Sequence, residues 1–427
     1  MKQNITINHI TKIEGHATLN LRIDNGIVKK AEIKSVEGAR FFEDIVKGRR
    51  WDEVNVLTSR ICGTCSPAHS INALMAVENA FGINPSGQTR MLRELLSLGS
   101  IIQNHTAHLY FLSLPDYLGY ESAIQMAPKF RPEIKRALNL KHVGNKLTFI
   151  IGGREVHPVT NRVGYFSNVP KKEQLKDMLS QLKNARMDAI KTLDLFSKLN
   201  YPKFERKTHY FANRGKVYNM LFGPIHCHNC CGPGVCIPDI DYKNHFNEYF
   251  QEGNDSKLVQ ALGKSYMVGA LARLNVNADT LPQKLRKMIP FKLPNYSPFM
   301  NNVSQAFEIV WAIERCIELI EKLEPKQLSV PDIKPKAGRG IATSEAPRGV
   351  LIHDYTFDKR GYVKKANIIT PTTQNLANME DDIKEFVPPL LKANASKERI
   401  VLEIEKLIRA YDPCISCATH FLKVNWI

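Results

Sequence analysis

Between residues 4 and 35 apolar and polar positions alternate. Ile5 and Ile7 alternate with polar neighbours, and so do Ala17, Leu19, Leu21 and Ile23. Asp24-Asn25-Gly26 then supplies turn residues before Ile27 and Val28, so this stretch predicts strands joined by a tight turn. From about residue 70 the period lengthens. Met91, Leu92, Leu95, Leu96, Ile101, Ile102, Leu109 and Leu112 wrap most of a helix, which predicts that this helix is buried. Residues 172–199 predict an amphipathic helix with Leu175, Met178, Leu179, Leu182, Ala185 and Leu193 on its apolar side. Val303, Phe307, Val310, Ile313, Ile317 and Ile320 mark a third long helix. A hairpin is expected at 349–370, turning at Lys359-Arg360-Gly361, and a last helix at 396–411. The stretches 201–245 and 324–347 show no period and read as irregular. The fold class expected is α+β and mainly α, a central bundle of long helices with small β elements near both termini. Three regions follow: a β-rich region at 1–60, a helical bundle at 61–330 with an irregular Cys/His-rich insert near 201–245, and a β-hairpin and helix at 331–427.

Length and composition narrow the class. A chain of 427 residues is longer than a single core usually organises, and 43% hydrophobic residues exclude a disordered polymer. Lys+Arg 59 against Asp+Glu 42 gives a formal net charge of +17. The basic residues are spread among acidic neighbours, as over residues 171–179, without the dense run that tracks phosphates, so nucleic-acid binding is not expected. No uncharged apolar run approaches the roughly 20 residues of a membrane span. The segment Met1–Ile10 lacks the cationic and apolar regions of a secretory signal. Nine cysteines in uneven clusters do not form a secreted disulfide framework, so a reduced, cytoplasmic protein is expected.

Four of the nine cysteines form two Cys-x-x-Cys pairs, each followed by a histidine. The first is Cys62 and Cys65 with His69; the second is Cys414 and Cys417 with His420. This spacing lets two sulfurs converge on one metal, and two pairs supply four soft thiolates if the fold joins the chain ends. On spacing alone, a structural zinc site and a catalytic transition-metal site are both open.

The flanking residues carry more. Arg60-Ile61-Cys62-Gly63-Thr64-Cys65 and Asp412-Pro413-Cys414-Ile415-Ser416-Cys417 resemble the two signature motifs of nickel–iron hydrogenase large subunits. Ile13-Glu14-Gly15-His16, Arg40-Phe41-Phe42-Glu43, His105 with His108, Gly152-Gly153-Arg154 with His157-Pro158, Glu345-Ala346-Pro347-Arg348-Gly349 and Thr370-Pro371-Thr372-Thr373 fall in the family's order and cover nearly the whole chain. The details at Glu37–Glu43 and Asp412–Cys417 look most like the soluble, cytosolic branch that includes archaeal sulfhydrogenases linked to NAD(P).

The resemblance implies reversible heterolytic cleavage of hydrogen at a nickel–iron centre whose iron carries cyanide and carbon monoxide. Cys62 and Cys414 match the terminal nickel ligands, and Cys65 and Cys417 the bridging ones. Arg348 matches a guanidinium over the open side of the metals, with Asp116 and Asp412 at the acidic positions that frame it. Glu14 matches the first proton carrier, Thr372 a hydroxyl donor to a cyanide, and His69 a donor to a bridging sulfur. Glu43 and His420, with the Ile368 carbonyl, match the ligands of a second site for magnesium or iron. His105 and His108 read as satisfied core histidines and Cys316 as core.

The four active-site cysteines are committed to nickel and iron, so the resemblance implies an iron–sulfur small subunit, and beyond it diaphorase-type electron-transfer subunits. It also implies a maturation protease that removes Phe421–Ile427 once nickel is in place. Rival readings are a deazaflavin-reducing or heterodisulfide-linked hydrogenase subunit, a metal-free quinone-linked respiratory relative, and a zinc-stabilised scaffold. One cluster fits no motif of the family: His226, Cys227, His228, Cys230, Cys231 and Cys236. An extra metal site, reduced loop cysteines and a disulfide are all open there.

Overall fold

The computed structural model describes residues 2–36, 38, 40–230 and 235–419. The N-terminal alternation becomes an antiparallel meander of β1 (Lys2–Ile7), β2 (Ala17–Asp24) and β3 (Ile27–Ser35). Ile5 faces Leu21, and Leu19 faces Ile33, so one face of the sheet is apolar.

Four long helices form the bundle: α2 (Gly87–Ala107), α3 (Arg131–Gly152), α4 (Lys172–Ser197) and α6 (Met300–Lys322); α1 (Ser66–Phe81) precedes them and α5 (Ala270–Asn277) lies before α6. Leu95, Ile102, Leu140, Leu147, Met178, Leu182, Phe307 and Ile313 fill one core. The helix predicted from Met91 to Leu112 does not end with α2. It runs on through a π-helical turn over His108–Ser113 into Leu114–Leu118. Helices α2 and α3 cross at Gly99 and Gly144, where a Cβ on Gly144 would stand 2.8 Å from the Gln103 nitrogen.

Both stretches read as irregular contain strands. Within 201–245 lie β4 (His209–Asn213), β5 (Ile225–His228) and β6 (Cys236–Ile237). After a separate hairpin, β7 (Phe246–Phe250) with β8 (Lys257–Ala261), the short β9 (Tyr266–Met267) completes a four-stranded sheet in the order β9-β4-β5-β6. Within 324–347 lies β10 (Gly338–Ala346), which pairs with β11 (Gly349–Phe357) and through it with β12 (Val363–Ile369). All five residues of β4 and most of β10 are buried, so neither shows the alternation of a strand with one wet face. The hairpin expected at 349–370 is β11–β12, and the C-terminal helices are α7 (Pro371–Lys392) and α8 (Lys397–Ala410). Leu376, Met379, Ile383, Ile404 and Leu407 of these helices share a core with Ile5, Leu19 and Ile33. The two ends of the chain therefore fold as one layer pair.

Arg93 on α2 holds Glu78 on α1 through two nitrogens at 2.7 and 2.5 Å, both side chains 3% exposed. Arg93→Ala leaves that carboxylate buried without its counter-charge, so a loss of about 3–5 kcal/mol is expected. A thermal unfolding midpoint equal to wild type would contradict this.

Candidate metal centre

The first cysteine pair sits where a short helical stretch, Val54–Ile61, gives way to α1. Cys65 is the N-cap of α1, and its backbone N–H donates to the Cys62 sulfur at 3.4 Å. A helix N-terminus favours negative charge, so this location suits a thiolate. The second pair follows α8. Asp412 lies in the left-handed region (φ 53°), and Pro413 then leads an extended segment into the one-turn helix Ile415–Ala418.

That segment runs beside Glu14. Ile415 N–H donates to the Glu14 carbonyl at 2.9 Å, and Ser416 N–H to Glu14 Oε2 at 3.1 Å. Cys414 Sγ lies 2.9 Å from the same carboxylate oxygen. Thr372, in the first turn of α7, accepts the Cys414 N–H at 3.0 Å. A hydroxyl that accepts in this way keeps its own proton to donate.

All four sulfurs then meet, although the pairs are 352 positions apart in the chain. Cys62 Sγ is 3.5 Å from Cys414 Sγ, Cys65 Sγ is 3.5 Å from Cys417 Sγ, and Cys414 and Cys417 are 2.9 Å apart. The cysteines are at most 4% exposed and none is in a disulfide. Two thiolates sharing a metal at about 2.3 Å stand roughly 3.5–4 Å apart, so these residues fit a thiolate-bound metal. Burial pushes the Cys414 and Cys417 thiols well up, whereas hydrogen bonds from Cys414, Cys417 and Cys65 hold Cys62 well below the usual thiol range. Four anionic sulfurs in so dry a place require a cation among them.

Arg348 stands at the tip of the β10–β11 hairpin, where Ala346 pairs with Gly349. Gly349 has φ 129°, and a Cβ there would meet the Val268 side chain at 2.5 Å, so the tip requires glycine. Arg273 on α5 donates to the carbonyls of Ala346 and Pro347 at 3.1 and 3.0 Å and braces the tip from behind. The guanidinium takes Asp412 through Nε to the carbonyl (2.7 Å) and through Nη2 to Oδ1 (3.0 Å), and Nη1 reaches Thr64 Oγ1 at 3.3 Å. Burial works against its charge, but Asp412 and the Cys414, Cys62 and Cys65 sulfurs outweigh it and push its pKa well up.

The two aspartates paired in the sequence reading part company. Asp412 holds Arg348, whereas the Asp116 carboxylate is clamped by Arg409 and Lys12, so Asp116 frames a different arginine. His69 places Nε2 3.9 Å from Cys417 Sγ, and its Nδ1 is 3.2 Å from His353 Nε2, whose Nδ1 is 2.6 Å from the Tyr355 hydroxyl. His105 bonds Glu308 at 2.7 Å, and His108 bonds Gln305 at 2.5 Å and the Arg409 carbonyl at 2.7 Å, as core histidines do. Glu43 Oε1 accepts from Ile368 N–H at 2.8 Å and from the Lys257 ammonium at 2.7 Å. His420 and the tail Phe421–Ile427 lie outside the described residues. Cys227 and Cys230 form a disulfide, Cys236 is free and exposed, Cys316 is buried, and Cys231 lies outside the described residues.

Two residues of the centre carried no assignment from the sequence. Arg40 donates to the Ile61 carbonyl at 2.5 Å and to the Ser416 carbonyl, strapping one cysteine segment to the other. Asn104 on α2 donates to the Thr64 carbonyl at 2.8 Å and places its own oxygen 3.5 Å from Arg348. Arg40 stood inside a quoted motif and was the available signal; an asparagine on a buried helix offers none.

Comparison with known proteins follows the same residues. The family model for nickel-dependent hydrogenases matches residues 40–145 and 296–420. The chain is 36% identical to sulfhydrogenase 1 subunit alpha of Pyrococcus furiosus over 428 residues, which covers 98% of each chain. It is 33% identical to sulfhydrogenase 2 subunit alpha of the same organism, over 98% of this chain and 100% of that one. In fold it matches an NAD+-reducing nickel–iron hydrogenase in its hydrogen-reduced state, with a TM-score of 0.86 at 21% identity over 98% of this chain and 99% of that one. A nickel–iron–selenium hydrogenase from Dm. baculatum matches with a TM-score of 0.80 at 20% identity, over 98% and 100%.

Proposed function

The chain belongs to the nickel-dependent hydrogenases, and from that premise we propose how its own residues serve the reaction. It is the catalytic subunit of a nickel–iron hydrogenase, an oxidoreductase acting on hydrogen. The single observation that carries the proposal is the meeting of four buried sulfurs under one buried guanidinium and beside one carboxylate.

When bound, the nickel–iron centre supplies the splitting of hydrogen into protons and electrons. Cys62, Cys65, Cys414 and Cys417 would hold it as thiolates, Cys62 and Cys414 in the terminal role and Cys65 and Cys417 in the bridging one. Cyanide and carbon monoxide would complete the iron, and the Thr372 hydroxyl, fixed by the Cys414 N–H, would donate to a cyanide. Arg348 keeps a permanent positive charge beside the sulfurs, aimed by Asp412 and by Arg273 behind the hairpin tip. His69, held through His353 and Tyr355, presents an imidazole edge to Cys417. Asp116 acts at one remove: with Lys12 it anchors Arg409, whose carbonyl receives His108.

Glu14 Oε2 takes the proton from the Cys414 side and hands it outward. Glu14→Gln is expected to keep nickel and iron but to slow hydrogen/deuterium exchange by about 10²-fold or more. Exchange at the wild-type rate in a nickel-replete variant would remove Glu14 from the path.

Glu43 and the Ile368 carbonyl, with His420, would hold magnesium or iron at a second site; in the structure Glu43 Oε1 accepts from the Ile368 N–H and the Lys257 ammonium. The electrons leave to an iron–sulfur small subunit and, through diaphorase-type subunits, to NAD(P); the likeness to the two sulfhydrogenase alpha subunits supports that branch over the deazaflavin and heterodisulfide ones. No helix among the described residues is long and apolar enough to cross a membrane; a cytoplasmic location is part of the proposal. A maturation protease acting on Phe421–Ile427 belongs to the same proposal. The test is hydrogen uptake by the native complex with a viologen dye, alongside nickel and iron analysis. Zinc in place of nickel, or a metal-free active chain, overturns it.

A further inference from the structure

The Cys227–Cys230 pair lies apart from the nickel–iron ligands and takes no part in the reaction described above. Cys227 lies on β5 and Cys230 two residues beyond its end, so the sulfurs converge only if the chain turns sharply between them. Asn229 makes that turn at φ 68°, a left-handed conformation that asparagine tolerates. The turn is tied to β4 twice. Asn229 donates its amide to the Thr208 carbonyl at 3.0 Å, and its own carbonyl accepts from His209 Nδ1 at 2.8 Å.

This second bond has a chemical consequence. With the proton on Nδ1, the His209 lone pair is left on Nε2, the tautomer that metal-binding histidines adopt when their other nitrogen donates to a carbonyl. The register Tyr210↔His228 sets His209 beside the turn, and ligand atoms from His209, Cys227 and Cys230 all lie within 4.8 Å of one another. His209 and Cys230 line an open cavity of about 550 Å³, with Lys207 and Lys264 on its rim. The cavity leaves room for a fourth ligand such as water.

We propose that Cys227, Cys230 and His209 form a second, redox-gated zinc site, closed while the two sulfurs are joined and opened by a dithiol. Opening takes two electrons and two protons from the dithiol, which closes to its own disulfide while the Cys227–Cys230 bond breaks to two thiols. Zn²⁺ then replaces both thiol protons, which leave to solvent, and His209 supplies the third ligand. Two soft sulfurs and one imidazole in a partly enclosed site suit zinc better than magnesium or calcium.

The test uses the native complex with its nickel–iron centre loaded, so that Cys62, Cys65, Cys414 and Cys417 cannot bind zinc. Samples reduced with dithiothreitol, freed of it without oxygen, are titrated with zinc against a chromophoric chelator, beside unreduced samples. The reduced complex is expected to take up one more zinc per chain than either the unreduced complex or a reduced Cys227→Ser/Cys230→Ser variant. Zinc-edge X-ray absorption is expected to show two sulfurs and at least one nitrogen. His209→Ala should weaken that zinc by about tenfold or more, and it carries the test if the double variant fails to fold. Viologen-linked hydrogen uptake, which this site does not serve, reports folding in each variant. Equal uptake by wild type and the double variant, uptake indifferent to reduction, or a reduced pair that stays a free dithiol in excess zinc overturns the proposal.

Discussion

Serine in place of Cys414 is expected to leave a chain that folds but holds no nickel and oxidises no hydrogen. A serine hydroxyl does not ionise near neutral pH, and an alkoxide would be a hard ligand where a soft one is required. Cys414 is tied to several groups at once: its sulfur lies 2.9 Å from Cys417, 3.5 Å from Cys62 and 2.9 Å from Glu14, while its N–H is held by Thr372. Its loss removes a metal ligand and the contact of that ligand with Glu14 together. Nickel and iron analysis with viologen-linked hydrogen uptake reads the result, and circular dichroism confirms folding. Cys316→Ser is the control, a buried thiol on α6 outside the site, and should keep both metals and activity. A Cys414→Ser protein with full nickel and turnover would falsify the ligand assignment.

Arg348→Lys is expected to retain nickel and lose activity by about 10²–10³-fold, the scale found for removing one well-placed electrostatic group. The charge survives the change; the geometry does not. Arg348 engages the Asp412 carbonyl and carboxylate with Nε while Nη1 reaches toward Thr64 and Asn104. An ammonium on a flexible stem cannot satisfy both sides of that planar fork. The measurement is turnover per nickel, since a fall in nickel content alone would point to a folding role. Wild-type turnover per nickel would remove Arg348 from the mechanism.

Helices α2, α4, α6 and α8, the N-terminal meander and the β11–β12 hairpin were legible because each shows a period or a turn signal within a few residues, whereas α3 and α7 were not singled out. The strands β4 and β10 were not legible. Both are buried on two faces, so their residues lack alternation, and β10 contains Thr343 and Glu345, polar groups that are satisfied only by tertiary partners. Glu345, for instance, accepts from the Asn213 N–H at 2.8 Å and from Arg273 at 2.9 Å, across 132 and 72 positions. The pairing of Asp116 with Arg409 rather than Arg348 was hidden for the same reason.

By itself the sequence determined the chemistry on offer: two Cys-x-x-Cys pairs with particular flanks, an arginine between Pro347 and Gly349, and Glu14 beside a glycine. Such spacings constrain sulfurs within a single turn, which is why they are readable locally. Only the tertiary structure decided that the pairs share one buried centre, that Arg40 straps Ile61 to Ser416, and that Arg273 braces the arginine tip. Those contacts join residues far apart in the chain, and their partners are selected by how helices and sheets pack, which no short window of sequence contains.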